Sequence, residues 1–492
     1  MLNWSCHSIN SCDILSFIMN FGKLAPYRKG KIPPLKGLLT ALGPGVVWMA
    51  LAQGSGELIW WPYIIAKYGL TFLFLLLPAC LLQYPLTYSI GFYTLATGES
   101  IFQGFIRLNR FFALMLWVLM SISFLWFGAF ASAGGTALAE LTGLPEGWSQ
   151  RGQSLFWAYF SMAAFLAAIL LSRVIYNLIE NFMKVIAVLT VIGLIWACTT
   201  SKVLNVLPEF LLGLISSPDV MPRAWDQNDA TKLLTAITFA GLGGFWTLFY
   251  SYWLRDKGAG MAAHMGRITG PITGRPESIL DSGFVPFNEE KDRKNFMEWR
   301  KYLLLDSGIG IFGNIFTTLM TCLLAYALLF PEGLLPQGYE IAVVQSKFFE
   351  VSWGGIGTII FLIVAAAFLS DTWLVTIDAV SRIQADVLHS LFPVTKKVGI
   401  RGLYYTFLGV LTIITSITML FNAPGPLILL SAVIGFIGTV IFTGAIIILN
   451  HFYLPRHLPK WAGPGRIVFI LLAIAFISYL ALAGGYVYLI FR

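Results

Sequence analysis

The chain has little charge for its length. Of its 492 residues, 11% are charged and 57% are hydrophobic, whereas soluble domains carry roughly 25% charged residues. No long polar stretch suggests a separate soluble domain. This deficit of charge, together with repeated apolar runs of about 20 residues, argues against a soluble protein and predicts an all-α polytopic membrane protein.

Cysteine and histidine are also scarce. The five cysteines form no CxxC pair, and the histidines lie in the predicted tail or loops, at His7, His264, His389, His451 and His457. The sequence therefore predicts neither a transition-metal cluster nor a buried histidine relay. No nucleophile–base pair stands out, so we expect no enzyme and no cofactor. The net charge of +8 lies in short loops, which indicates membrane topology and not nucleic-acid binding.

Eleven apolar segments are long enough to cross a bilayer. They cover residues 39–67, 70–96, 111–138, 154–172, 176–200, 231–254, 302–329, 355–381, 402–421, 425–449 and 467–490. The resulting organisation is an N-terminal tail (1–38), a first five-helix repeat (39–200), a second repeat (231–449) and an eleventh helix with the C-terminus (467–492). The loop over 255–301, rich in glycine, proline and charge, is expected to be partly ordered at most.

The basic residues indicate an orientation for these segments. With the N-terminus placed in the cytoplasm, 24 of the 32 lysines and arginines fall in cytoplasmic segments and 7 on the other side. Cytoplasmic loops carry the excess of lysine and arginine in membrane proteins. We therefore predict a multi-pass protein of the cell membrane with a cytoplasmic N-terminus and an extracytoplasmic C-terminus.

Two segments contain residues that disfavour a continuous helix. The stretch Gln53-Gly-Ser-Gly-Glu57 lies in the first, and Gly241-Leu-Gly-Gly244 lies in the sixth. Glycine weakens a helix, a serine can cap a restarting one, and Glu57 is ionisable at mid-membrane depth. Two interrupted helices, five spans apart, are typical of secondary transporters built from inverted repeats. Close helix packing is the alternative explanation for each glycine cluster.

Unwound backbone is tolerated in a membrane where it lines a cavity, so both interruptions are candidate parts of one site. Carbonyl groups and the side chains around the first break offer hard oxygen ligands suited to a cation. The candidate substrate- or ion-binding residues are Gln53, Gly54, Ser55, Glu57, Gly244 and Thr247. Of these, Glu57 and Thr247 are the candidate metal ligands.

Other polar residues inside the spans are candidates for coupling or for the pathway. They are Tyr250, Asp306, Asn314 and Asp371, of which Asp371 is a candidate proton or ion relay. Two further pairs, Asp378 with Arg382 and Glu180 with Lys184, have the i, i+4 spacing of a structural ion pair.

Several short motifs resemble the Nramp (natural resistance-associated macrophage protein) divalent metal-ion transporter family. They include Gly43-Pro-Gly45, Thr97-Gly-Glu99, Gly135-Thr-Ala137, Ile179-Glu180 with Met183-Lys184, Asp306-Ser307 with Asn314, and Pro426-Leu-Ile-Leu-Leu-Ser431. The resemblance covers about residues 42–449. It implies eleven helices in a leucine-transporter-like 5+5 inverted repeat plus one extra helix, with the first and sixth helices interrupted.

The sequence departs from that family at the metal site. The family's first break reads Asp-Pro-Gly-Asn, whereas this chain has Gly-Ser-Gly-Glu at 54–57. The family's methionine ligand in the sixth helix aligns with Thr247, and its third-helix acids align with Ala129 and Ser132. Without sulfur, the site is expected to favour a harder cation such as Mg²⁺. The alternatives are a symporter of a small organic solute on the same fold and a non-transporting receptor.

Overall fold

The computed structural model describes residues 21–38, 42–54, 58–216 and 225–491. Up to residue 216 it contains strand β1 (Arg28–Gly30) and helices α1 (Pro44–Ala52), α2 (Trp60–Tyr68), α3 (Leu76–Thr97), α4 (Ile101–Leu108), α5 (Arg110–Ser123), α6 (Gly128–Thr142), α7 (Gln150–Leu171), α8 (Ile175–Cys198), α9 (Ser201–Leu204) and α10 (Leu207–Gly213). The remaining elements are α11 (Ala230–Thr238), α12 (Phe249–Lys257), β2 (Phe284–Pro286), α13 (Glu290–Leu324), α14 (Ile341–Gln345), α15 (Lys347–Trp353), α16 (Gly355–Leu391), α17 (Gly399–Thr418), α18 (Pro424–Ile448) and α19 (Arg466–Phe491).

Nine helical stretches in the described part of the chain are long and apolar enough to cross a membrane: α3, α5 with α6, α7, α8, α13, α16, α17, α18 and α19. The predicted first and sixth spans are instead pairs of short helices, α1 with α2 and α11 with α12. The predicted helix interruptions are therefore confirmed. Eleven membrane crossings stay a prediction, because length and composition alone define a candidate span.

Small residues allow the long helices to approach one another closely. A side chain on Gly134 of α6 would overlap Ser370 of α16, and one on Gly135 would overlap the carbonyl of Ser154 in α7. Such small-residue contacts are a common means of helix association in membranes, where the solvent is as apolar as the helix surface. They bring α6 close to both α16 and α7.

The segment 255–301, predicted to be partly ordered at most, contains the end of α12, strand β2 and the start of α13. Strand β2 lies in this segment and pairs in parallel with β1 of the N-terminal tail. Further on, Asp292 accepts a 2.8 Å hydrogen bond from the amide of Ile32, and Asn295 donates one of 2.8 Å to the Ile32 carbonyl. The tail and the loop therefore order each other, a long-range pairing that loop composition does not reveal.

Candidate functional site

The first break separates α1 from α2. Helix α1 ends at Ala52 and α2 begins at Trp60, while the amide of Leu58 donates to the carbonyl of Gln53 at 3.3 Å. Two of the predicted ligands, Ser55 and Glu57, lie outside the described residues together with Gly56. The residues that flank them and the helices packed around them define the candidate site.

Gly54 is the point at which α1 contacts α16. A Cβ atom at this position would overlap the hydroxyl of Thr372 and the carbonyl of Phe368. Glycine is required here by the close approach of two backbones. The contact places the stretch of α16 from Phe368 to Thr372 beside the end of α1, with Phe368 and Thr372 in direct contact.

Asp371 lies within that stretch of α16. Its side chain is fully buried, and neither carboxylate oxygen accepts a hydrogen bond from a described residue. The neighbouring hydroxyl of Thr372 donates instead to the carbonyl of Phe368 at 3.0 Å. A buried carboxylate without a partner is costly, so Asp371 is the strongest candidate ligand in the described part of the chain.

Two amide side chains around α1 are also unpartnered. The side-chain oxygen and nitrogen of Gln53 and of Asn314 form no hydrogen bond with a described residue, and both side chains are buried. Gln53 lines a small cavity with Thr317, Phe368 and other residues, with room for about one water molecule. Asn314 lies one helical turn before Thr317, on the same face of α13. The end of α1 and the helices α13 and α16 thus each carry a buried polar side chain without a partner among the described residues.

The second break lies between α11 and α12. It is stabilised by a side chain to which the sequence assigned no role. Gln83 of α3 donates to the carbonyls of Thr238 (3.2 Å) and Ala240 (3.0 Å) and accepts from the amide of Gly243 (3.2 Å). Gly243 and Gly244 both have positive φ, at 60° and 54°, a conformation that favours glycine. Gln83 therefore satisfies backbone groups that the missing helical turn leaves unpaired.

The predicted ligands of the second break face a different cavity from that of Gln53. Gly244 and Thr247 line a space between α3, α18 and α19, whereas Gln53 lies between α8, α13 and α16. The two cavities share no lining residue. The structure thus does not bring Thr247 into the cavity that Gln53 lines, because Thr247 lies beside α18 and α19. Their roles as ligands stay predictions.

Tyr250 and Asp306, both predicted pathway residues, are in direct contact. The Tyr250 hydroxyl donates to Asp306 at 2.8 Å, and the amides of Gly43 (3.1 Å) and Gly45 (2.7 Å) donate to the same carboxylate. Asp306 therefore caps the N-terminus of α1, where a negative charge is favourable. This contact ties α1, α12 and α13 together at the predicted cytoplasmic end.

Both predicted i, i+4 ion pairs are confirmed. Arg382 contacts Asp378 at 2.8 Å within α16 and also pairs with Asp256 of α12. Glu180 pairs with Lys184, and its other contact is Lys257 at 2.8 Å. Each intrahelical pair therefore extends to α12, a connection that spacing along one helix does not predict.

A further charged cluster, around Asp229, joins α2 to the start of α11. It lies at the end of the bundle opposite to Asp306. Asp229, just before α11, accepts hydrogen bonds from Lys67 (2.6 Å), Tyr68 (2.7 Å) and Lys232 (2.7 Å). Burial raises the pKa of Asp229, but the hydrogen bonds from Lys232, Lys67 and Tyr68 outweigh it and hold the pKa below its usual range. The cluster couples α2 to the start of α11.

Among the described residues, no group of three or more His, Cys, Asp or Glu side chains could hold a metal ion. The described residues near the first break offer amide and carbonyl oxygens and the carboxylate of Asp371. Such a ligand set suits hard ions.

Long apolar helices around two broken ones form the architecture of inverted-repeat membrane transporters. The particular fold is the leucine-transporter-like fold, which solved structures show. The manganese transporter of Eremococcus coleocola, in complex with an aromatic bis-isothiourea substituted compound, superimposes with a TM-score of 0.61 at 12% identity, covering 92% of this chain and 87% of that chain. A mutant of the same transporter gives 0.59 at 13% identity, with 94% and 90% covered.

A second neighbour of this fold is MhsT in complex with L-phenylalanine. Its TM-score is 0.53 at 16% identity, with 89% of this chain and 97% of that chain covered. No family model and no curated relative matches the chain. At these identities the comparisons show the fold, and with it a multi-pass membrane protein.

Proposed function

We propose that the chain is an Nramp-related secondary-active transporter that carries a divalent metal cation with a preference for hard oxygen ligands, such as Mg²⁺. The observation that carries this proposal is the buried, unpartnered carboxylate of Asp371 beside the first break. The amides of Gln53 and Asn314 supply neutral oxygens, and the C-terminal end of α1 adds a negative dipole end. Glu57, outside the described residues, would supply a second carboxylate.

The proposed orientation places the N-terminus in the cytoplasm and the C-terminus outside, as the distribution of lysine and arginine indicates. The contact of Asp306 with Tyr250 and α1 would then close the cytoplasmic side. The cluster around Asp229 would hold α2 and α11 together on the outer side. Alternating access would come from rocking of the broken helices against the rest of the bundle.

A symporter of a small organic solute is the second candidate. The cavity beside Gln53 has an aromatic wall of Phe349, Phe361 and Phe368, which suits an apolar side chain. The cavity has room for about one water molecule in this conformation, so such a solute would require the helices to separate. An ion requires a smaller change, which favours the cation.

Uptake into proteoliposomes distinguishes these functions. We would reconstitute the full chain and measure accumulation of Mg²⁺, Mn²⁺ and Cd²⁺, and of a panel of amino acids, with and without a pH gradient. The proposal expects saturable uptake of Mg²⁺ and no preference for Mn²⁺ or Cd²⁺ over Mg²⁺. Uptake of an amino acid without any metal uptake would establish the second candidate instead.

A further inference from the structure

The second break has a cavity of its own. Its polar side chains are Gln83 from α3, Thr238 from α11, Thr247 beside the break, Thr439 from α18 and Tyr479 from α19. The cavity has room for about one water molecule. It includes two residues of α19, Tyr479 and Leu482. This helix corresponds to the predicted eleventh span, which lies outside the two five-helix repeats predicted from the sequence.

Two hydroxyl groups in this lining lack a partner. The Thr247 Oγ1 and the Tyr479 hydroxyl are buried and form no hydrogen bond with any described residue. The other three polar side chains have partners. Gln83 bonds the backbone of the break, the Thr238 hydroxyl donates to the Leu234 carbonyl at 2.7 Å, and the Thr439 hydroxyl donates to the Gly435 carbonyl at 3.2 Å. Buried polar groups in proteins are nearly always satisfied, by protein or by an ordered water.

We propose that this cavity is a binding site for one structural water molecule, which bridges Thr247 to Tyr479. A water molecule can donate and accept, so it satisfies hydroxyl groups of either orientation. A cation is disfavoured because the lining contains no carboxylate and an uncompensated charge at membrane depth is expensive. The inference goes beyond the proposed transport activity and does not depend on the identity of the substrate.

The bridge gives two residues a positioning role. Thr247, which the sequence predicted to be a metal ligand, would instead fix the turn after the second break. Tyr479 would connect α19 to that turn, so that the eleventh helix restrains the broken sixth helix. Loss of either hydroxyl should remove the same interaction, and the effects of the two losses should not add.

The test combines a double-mutant cycle on thermal stability with imaging of the full chain in lipid nanodiscs. Thr247→Val and Tyr479→Phe should each lower the Tm, the double variant should lower it no further than the larger single effect, and Thr247→Ser should restore it. The matched control is Tyr486→Phe on the same helix, whose hydroxyl lies 3.1 Å from that of Thr231; its effect should add to that of Thr247→Val.

A high-resolution cryo-electron microscopy map should show one density peak within hydrogen-bond distance of both Thr247 and Tyr479. Additive effects of the two substitutions, or a map without the peak, would overturn the proposal. So would a dependence of the Tm on sodium that Tyr479→Phe abolishes, because it would identify the occupant as a cation. A Thr247→Ser variant as unstable as Thr247→Val would also contradict it.

Discussion

The hydroxyl of Tyr250 donates a 2.8 Å hydrogen bond to Oδ2 of Asp306, and the same oxygen accepts the amide of Gly45 at 2.7 Å. One carboxylate thereby joins the start of α1 to α12, the second half of the interrupted sixth span. In the proposed mechanism the broken helices rock against the rest of the bundle. Asp306, on α13, therefore bonds both broken helices to a helix against which they would move.

Removal of the Tyr250 hydroxyl should weaken this contact. Tyr250→Phe deletes one of the hydrogen bonds to a buried charged group, which corresponds to about 1.5–3 kcal/mol, and we expect a lower Tm in detergent or nanodiscs. The control is Tyr302→Phe, since the buried Tyr302 hydroxyl has no partner among the described residues and should tolerate the change. Equal losses in both variants would show that the hydrogen bond to Asp306 is not the cause of the loss.

Gly54 should not tolerate even one added methyl group. Gly54→Ala would force the Cβ atom into the carbonyl of Phe368 and the hydroxyl of Thr372, separating α1 from α16. We expect a lower Tm and loss of uptake. Gly355→Ala is the matched control at the start of α16, because nothing lies within 4 Å of a Cβ atom there. Normal stability and uptake of the Gly54→Ala protein would show that the close contact between Gly54 and α16 is not required.

The Asp229 cluster should make stability depend on acid pH. The folded pKa of Asp229 lies below its usual range, so its stabilisation is complete above the unfolded pKa, about 3.9, and is lost as pH falls through the folded value. We expect Asp229→Asn to lower the Tm at pH 7 and to reduce the fall in Tm below about pH 4.

The control for that measurement is Asp226→Asn. Asp226 contacts Lys67 at 3.2 Å, and its side chain is 41% exposed, so its removal should matter less. If Asp226→Asn matched Asp229→Asn at pH 7, the buried position of Asp229 would not be the cause.

The sequence predicted the scaffold well because its signals are local. Apolar runs define candidate spans, and glycines disfavour helix, so the interruptions near Gly54 and Gly244 were predicted correctly. The predicted site assumed that the polar residues of both breaks face one cavity. The side on which a helical residue faces its neighbours depends on how the helices pack. The structure places Thr247 beside α18 and α19.

Residues whose role comes from a distant partner were missed for the same reason. Gln83 lies in an ordinary apolar span, and only the fold shows that it bonds the second break. Asp229 precedes a helix and reads as a loop residue, yet it binds Lys67 from another segment. In contrast, Asp371 was identified as a candidate from the rarity of a carboxylate in an apolar run.

The central claim is that Asp371 binds the transported ion, and Asp371→Asn tests it most directly. Because neither oxygen of Asp371 is bonded to a described residue, removal of the charge should leave the Tm unchanged or raise it. In proteoliposomes we predict that Asp371→Asn loses uptake of the transported cation, while Glu140→Gln, at an exposed position on α6, retains it. Normal cation uptake by a folded Asp371→Asn protein would contradict the account.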